Sequence, residues 1–193
     1  PTALRLFREA HDLAPSDPEI TNNLGFLYQA LGNRPEAERW YRETLSLAPR
    51  RGVAWLNLAD LLAESEDPKA LARAAAALVK ARQLRGNAWT IIRRQARVAA
   101  ARGLLADAER FYREAGQAGD DGLALEVGDF YRQLGRTGDA LRWYRRVQGD
   151  ALLAEASQRV RAVQVDLQAR RYGWTAPSTE VPAAARARFE RAA

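Results

Sequence analysis

Three eight-residue segments of this chain are close copies of one another. Residues 36–43, 107–114 and 139–146 read EAERWYRE, DAERFYRE and DALRWYRR. The first two begin 71 residues apart and the last two 32 residues apart. One divergent copy inside the longer interval would bring every interval close to about 34 residues, a period typical of stacked helix-turn-helix units. The sequence therefore predicts an all-α chain in which successive helix pairs share a continuous core.

Small residues and tyrosines repeat with the same period, and each type has a mechanical role. Glycine on the first helix of a pair (helix A) and alanine on the second (helix B) would let the two axes approach closely. Tyrosine rings would then fill the space between adjacent pairs and keep a hydroxyl for a local partner. The residues given these structural roles are Gly25, Tyr28, Ala37, Tyr41, Ala108, Tyr112, Gly128, Tyr131, Ala140 and Tyr144.

The ends of the predicted helices are marked by capping residues. Prolines just inside a helix start lack only an N–H that would be unpaired there, and a preceding Asp or Asn can cap the first turn. Glycine where a helix ends favours the left-handed backbone of a turn. The prolines are Pro18, Pro35 and Pro68, the caps Asp17, Asn33 and Asp67, and the turn glycines Gly32, Gly103 and Gly135.

This pattern of small, aromatic and proline positions resembles the tetratricopeptide repeat family, with the best match over residues 18–51. The resemblance implies an α-solenoid, a right-handed superhelix of antiparallel helix pairs. It divides the chain into a partial repeat of helix B alone at 1–15, repeats at 16–51, 52–87 (degenerate), 88–119 and 120–150, a capping or degenerate helix at 151–171, and a loop with a short terminal helix at 172–193.

The residue inventory argues against catalysis. The chain has no cysteine and one histidine, His11, so thiol chemistry is absent and any metal site or Ser-His-Asp triad would depend on that single imidazole. We expect His11 to have a surface or packing role. The glycines fall at repeat boundaries and form no phosphate-binding loop. We therefore predict no catalytic residues, no metal, no cofactor and no enzymatic activity.

The resemblance places the binding surface on the concave side, which helix A lines in this family. Arg93 and Arg97 are one helical turn apart and share a face, so they would form a cationic spot suited to an acidic protein segment. A solvated helix face is the alternative interpretation of these arginines. The predicted partner-binding residues are Asn22, Asn23, Phe26, Gln29, Asn57, Asp60, Arg93, Arg94, Arg97, Asp129 and Arg132.

Two more specific ligands are disfavoured. The family's carboxylate clamp for chaperone C-termini is matched by Asn57 and Arg94, but Asn22, Phe26 and Thr90 replace its other positions. Nucleic acid is also disfavoured as a partner in spite of the net charge of +6. Arginine and glutamate alternate along most helices, so their fields cancel, and the aromatics are committed to repeat positions.

The sequence thus predicts a non-catalytic scaffold that binds a protein partner through its concave helix A surface. The alternative is a periplasmic segment of a bacterial exopolysaccharide export protein of the outer membrane, which would recruit a polymer-modifying enzyme or guide the polymer. The compartment stays open, with the periplasm slightly favoured over the cytoplasm. We expect a fragment of a larger bacterial protein with further repeats upstream, and no membrane insertion by this segment, since it lacks a long apolar run.

Overall fold

A computed structural model describes residues 2–86 and 88–171, and no strand occurs among them. This confirms the predicted all-α fold class. The predicted loop and terminal helix at 172–193 lie outside the described residues. The helices are α1 (Thr2–Leu13), α2 (Pro18–Ala30), α3 (Arg34–Leu47), α4 (Gly52–Ala63), α5 (Pro68–Arg85), α6 (Trp89–Ala101), α7 (Leu105–Ala115), α8 (Asp121–Gln133), α9 (Thr137–Tyr144) and α10 (Asp150–Arg171), with a 3₁₀ turn at Gly116–Ala118.

The chain divides into two compact units, Pro1–Phe111 and Tyr112–Ala193. In the first unit α2 packs on α3 and α4 on α5, while α3 contacts α4 and α5 contacts α6. In the second unit α8 packs on α9, and α10 contacts both. The loops inside these pairs are three or four residues long, which makes the paired helices antiparallel.

Local sequence explains where the helices begin and end. The side chains of Asp17, Asn33 and Asp67 accept hydrogen bonds from backbone N–H groups in the first turns of α2, α3 and α5. Each of these helices has a proline in its first two positions, where no intrahelical donor is lost. The three predicted turn glycines all have positive φ, between 71° and 76°. These turns close because glycine adopts that backbone conformation without steric cost.

A glycine under a tyrosine ring sets the distance between paired helices. A Cβ added to Gly25 on α2 would lie 2.6 Å from the Cδ1 and Cε1 atoms of Tyr41 on α3. Gly128 on α8 has the same relation to Tyr144 on α9. Both tyrosines are buried, and both glycine positions leave room only for a hydrogen. The repeated pattern thus corresponds to a repeated packing contact.

Polar groups are also paired inside the first unit. The buried hydroxyl of Thr44 forms hydrogen bonds with that of Thr21 at 2.9 Å and with the carbonyl of Trp40 at 2.9 Å.

His11 on α1 is half-buried and its ring meets that of Trp40 edge-on, with the centroids 4.9 Å apart. His11 therefore packs against an aromatic ring in this unit.

Candidate partner-binding groove

A groove of about 480 Å³ lies in the first unit between α4 and α6. Its floor includes Ala59, Leu78 and Val98, which are all buried. Small and aliphatic side chains make this floor, whereas the rim is charged. The polar lining residues are Asp60, Glu64, Thr90, Arg93, Arg94 and Arg97.

The structure brings the predicted arginine cluster into this groove. Arg93, Arg94 and Arg97 all lie on α6 and line the same depression, because residues three and four apart share a helix face. Asp60 on α4 lies opposite and was also predicted from the sequence. The groove thus carries three guanidinium groups against two carboxylates, those of Asp60 and Glu64.

Arg94 and Asp60 form the central ion pair. The Nε of Arg94 donates to Oδ1 of Asp60 at 2.8 Å and to Oδ2 at 3.1 Å, and its Nη1 donates to the carbonyl of Thr90 at 3.2 Å. The side chains of Arg94 and Asp60 are 36% and 42% exposed, respectively. The pair is therefore open to solvent and to a ligand.

Glu64 also lines the groove, but its carboxylate is hydrogen-bonded to two residues that do not line the groove. Gln29 donates to one of its oxygens at 2.9 Å, and Arg34 donates to the other at 2.7 Å. Arg34 also reaches the carbonyl of Leu61 at 2.7 Å, which ties α3 to α4. Burial, together with the negative charges of Asp60 and Glu64, raises the pKa of Tyr41 to about 12.

The other predicted residues of the first unit lie on α2 and α4. Asn22 is buried and accepts a hydrogen bond from Nδ2 of Asn57 at 3.1 Å. Asn23 and Gln29 are half-buried, whereas the Phe26 side chain is 60% exposed. Phe26 is thus a large apolar group that the first unit leaves in contact with water.

In the second unit, Asp129 and Arg132 lie on α8 and both contact α10. Asp129 accepts from the hydroxyl of Tyr144 at 2.7 Å and from Nε of Arg159 at 3.0 and 3.1 Å. Arg132 lies 3.7 Å from Asp166. Burial and the bond to Asp129 raise the pKa of Tyr144. The predicted residues of this unit are thus engaged in contacts between helices.

Sequence reasoning missed Glu64, Arg34 and Arg159 as partners of the predicted residues. In the first unit the sequence does carry a signal for such pairs, because the paired polar residues are separated by about one period of the sequence pattern. Asn22 and Asn57 are 35 residues apart, Gln29 and Glu64 also 35, and Asp60 and Arg94 34. These separations match the period of about 34 residues in the sequence.

Neither a metal centre nor a bilayer-spanning helix emerges from the described residues. In residues 2–86 and 88–171, no three His, Cys, Asp or Glu side chains are grouped to hold a metal ion. Over the same part of the chain, every helix falls short of the length and apolar character that crossing a bilayer requires.

The helix pairs and the open groove define an α-solenoid repeat protein. Residues 19–48 match the tetratricopeptide repeat family model. No curated protein sequence matches the chain significantly.

Solved structures show that the similarity of fold extends well beyond the matched segment. TTC0263, a tetratricopeptide-repeat protein of Thermus thermophilus, is 20% identical with a TM-score of 0.67, over 84% of this chain and 89% of that one. MamA residues 41 to the end, from Desulfovibrio magneticus RS-1, are 16% identical with a TM-score of 0.68, over 76% and 82%. YrrB, described as having an unusual peptide-binding site, is 16% identical with a TM-score of 0.64, over 85% and 84%. The chain thus has the tetratricopeptide-repeat fold, which confirms the resemblance inferred from the sequence.

Proposed function

We propose that this chain is a non-catalytic protein-interaction scaffold and that it binds an acidic segment of a partner in the groove between α4 and α6. The observation that carries the proposal is the placement of Arg93, Arg94 and Arg97 around one depression with a small apolar floor. A guanidinium group presents several N–H donors in a plane and suits carboxylates. An extended peptide with two or three acidic side chains matches this surface.

The fold supports a peptide as the ligand. Stacked helix pairs offer an extended surface rather than an enclosed pocket, and arrays of this kind bind segments of other proteins. YrrB, which shares the fold, is described as having a peptide-binding site.

The charge outside the groove gives less support to nucleic acid. Several arginines on α3 and α7 are paired with carboxylates of their own helix. Arg39 pairs with Glu36 at 3.0 Å, and Arg110 pairs with Asp107 at 2.8 Å. Such pairs weaken the field that would attract a phosphate backbone. No observation on the described residues specifically favours the exopolysaccharide export alternative.

We also propose that the predicted repeats correspond to the helix pairs. On this assignment 16–51 comprises α2 and α3, 52–87 comprises α4 and α5, 88–119 comprises α6 and α7, and 120–150 comprises α8 and α9. The segment 1–15 is then a helix B, and α10 in 151–171 occupies the position of a helix A.

The test is loss of acidic-peptide binding when the groove loses its charge. Replacing Arg93, Arg94 and Arg97 by alanine should weaken binding of a fluorescein-labelled hexaglutamate peptide at least about tenfold, since charge-assisted hydrogen bonds are removed. Fluorescence anisotropy at low ionic strength gives the affinity, and circular dichroism should show unchanged helix content.

A matched variant separates the groove from net charge. Replacing Arg39, Arg42 and Arg73 by alanine removes the same charge from exposed positions on α3 and α5. This control should retain most of the affinity. Equal losses in the two triple variants would mean that the peptide responds to net charge alone, and the proposal would be rejected.

A further inference from the structure

We propose that Asp60 sets the affinity of the groove for acidic ligands by acting as an internal carboxylate, which occupies Arg94 until a carboxylate of the partner displaces it. The inference rests on the proposed function, because it concerns how tightly the same groove binds its acidic ligand. It assigns to Asp60 a competing role rather than a direct contact with the partner.

The geometry makes Asp60 a substitute for a ligand carboxylate. Both of its oxygens lie within hydrogen-bond distance of Nε of Arg94, at 2.8 and 3.1 Å. The bond from Nη1 of Arg94 to the carbonyl of Thr90 holds the guanidinium against its own helix. A partner carboxylate that approaches from the groove would therefore meet a guanidinium that is already oriented and already paired.

Displacing Asp60 from Arg94 requires little free energy because this ion pair is open to water. Ion pairs between partly exposed side chains contribute little to stability, since solvent screens them. A carboxylate from the partner can replace Asp60 without exposing a buried charge. A neutral peptide that separated Arg94 from Asp60 would bind less favourably than an acidic one, because it would leave both side chains without a charged partner.

Glu64 offers a matched comparison within the same groove. It carries the same charge as Asp60, but Gln29 and Arg34 hold its two oxygens, at 2.9 and 2.7 Å. Neutralising Glu64 therefore changes the field of the groove without releasing Arg94. Any difference between neutralising Asp60 and neutralising Glu64 reports on competition for Arg94.

The first experiment compares Asp60→Asn with Glu64→Gln, using the labelled hexaglutamate peptide and a hexaglutamine peptide of the same length. Both substitutions raise the net charge by one. Asp60→Asn should bind hexaglutamate about fivefold more tightly than Glu64→Gln does, and hexaglutamine affinity should not rise to the same degree. Equal affinities of the two variants for hexaglutamate, or weaker binding by Asp60→Asn, would overturn the inference.

A second measurement follows Arg94 directly. In the wild-type protein the Nε–H resonance of Arg94 should move on peptide addition, because its acceptor changes from Asp60 to the ligand. Hexaglutamate binding that leaves this resonance in place would overturn the role of Asp60 and leave the scaffold proposal standing. If neither the wild type nor Asp60→Asn binds hexaglutamate, the proposed function itself fails, and the inference fails with it. Thermal melts of both variants exclude misfolding as the cause.

Discussion

Gly128 and Gly138 are two helical glycines of the second unit with opposite surroundings. A Cβ on Gly128 would collide with the ring of Tyr144, which is buried, whereas a Cβ on Gly138 would meet no atom within 4 Å. The collision forces the ring of Tyr144 or the axis of α8 to move, although both are closely packed. Overpacking of this kind typically costs about 1–3 kcal/mol.

We therefore expect Gly128→Ala to lower the free energy of unfolding by about 1–3 kcal/mol. Gly138→Ala adds the same methyl group to a helix without a clash and should leave stability unchanged or slightly higher. Chemical denaturation followed by circular dichroism measures both. An equal effect of the two substitutions would show that the close approach at Gly128 is not limiting.

The buried hydroxyl of Tyr41 predicts a pH effect of defined sign. Its pKa is raised to about 12 by burial and by Asp60 and Glu64, compared with about 10 in an unfolded chain. Between these values the folded state holds a proton that the unfolded state has lost, so the free energy of unfolding should fall as the pH rises from about 10 to about 12. The stabilising effect is complete below about pH 10.

Replacing Tyr41 by phenylalanine should reduce this alkaline slope, because the titrating group is removed. Denaturation midpoints of the wild type and Tyr41→Phe, measured at several pH values in that window, give the comparison. Identical slopes would mean that Tyr41 does not contribute to the alkaline loss of stability.

The sequence predicted packing at the residue scale better than polar pairing. Gly25 and Gly128 were found because each recurs with a tyrosine at a fixed place on the next helix. The burial of Asn22 against Asn57 was not predicted. The pattern along one helix shows which residues share a face, but it does not show how close that face lies to a neighbouring helix. The same limit hid the pairing of Arg94 with Asp60.

At the scale of the element, α5 shows how local sequence defines a helix whose pattern has diverged. It runs from Pro68 to Arg85, and alanine contributes many of its positions, a residue that favours helix strongly. Asp67 caps its start by accepting from the backbone N–H of Lys69 at 3.1 Å and of Ala70 at 3.3 Å. The sequence predicted Asp67 as the cap of this helix and Pro68 just inside its start, and both predictions are confirmed.

Removing the cap should destabilise α5 specifically. We expect Asp67→Ala to cost about 0.5–2 kcal/mol, the usual range for a helix N-cap. Glu66→Ala removes the same charge one residue earlier, where the side chain is exposed and makes no capping bond. Urea denaturation should therefore separate the two variants. Equal losses would assign the effect to charge near the helix start rather than to the cap.

At the scale of the whole molecule, the division into two compact units predicts how damage spreads. Leu78 on α5 is buried in the core of the first unit, whereas the adjacent Val79 is exposed. In repeat arrays, stability is a sum of local terms and contacts between nearest neighbours. A cavity in one unit should therefore act mainly on that unit.

Leu78→Ala should destabilise the first unit by about 2–5 kcal/mol, whereas Val79→Ala should change stability by less than about 0.5 kcal/mol. Hydrogen exchange resolved by peptide should show that protection falls more in α2 to α6 than in α8 to α10. A uniform loss over both ranges would indicate that the chain unfolds as a single cooperative body.

At the scale of the whole molecule, the sequence predicted the fold but not the division into two units. The period identified the fold, because each repeat carries several correlated positions. The grouping of helices into units, with its boundary at residue 111, was not predicted, because α7 carries the same repeat residues on both sides of it, Ala108 and Tyr112. A boundary of this kind depends on the density of contacts rather than on residue type.

The three polar pairs one repeat apart give the first unit a further property. Asn22 with Asn57 and Gln29 with Glu64 join α2 to α4, and Asp60 with Arg94 joins α4 to α6. Each pair acts as a tie between successive helix A segments. If a ligand takes Arg94 from Asp60, as we propose, it removes the tie between α4 and α6, so peptide binding should be accompanied by greater mobility of these two helices relative to each other.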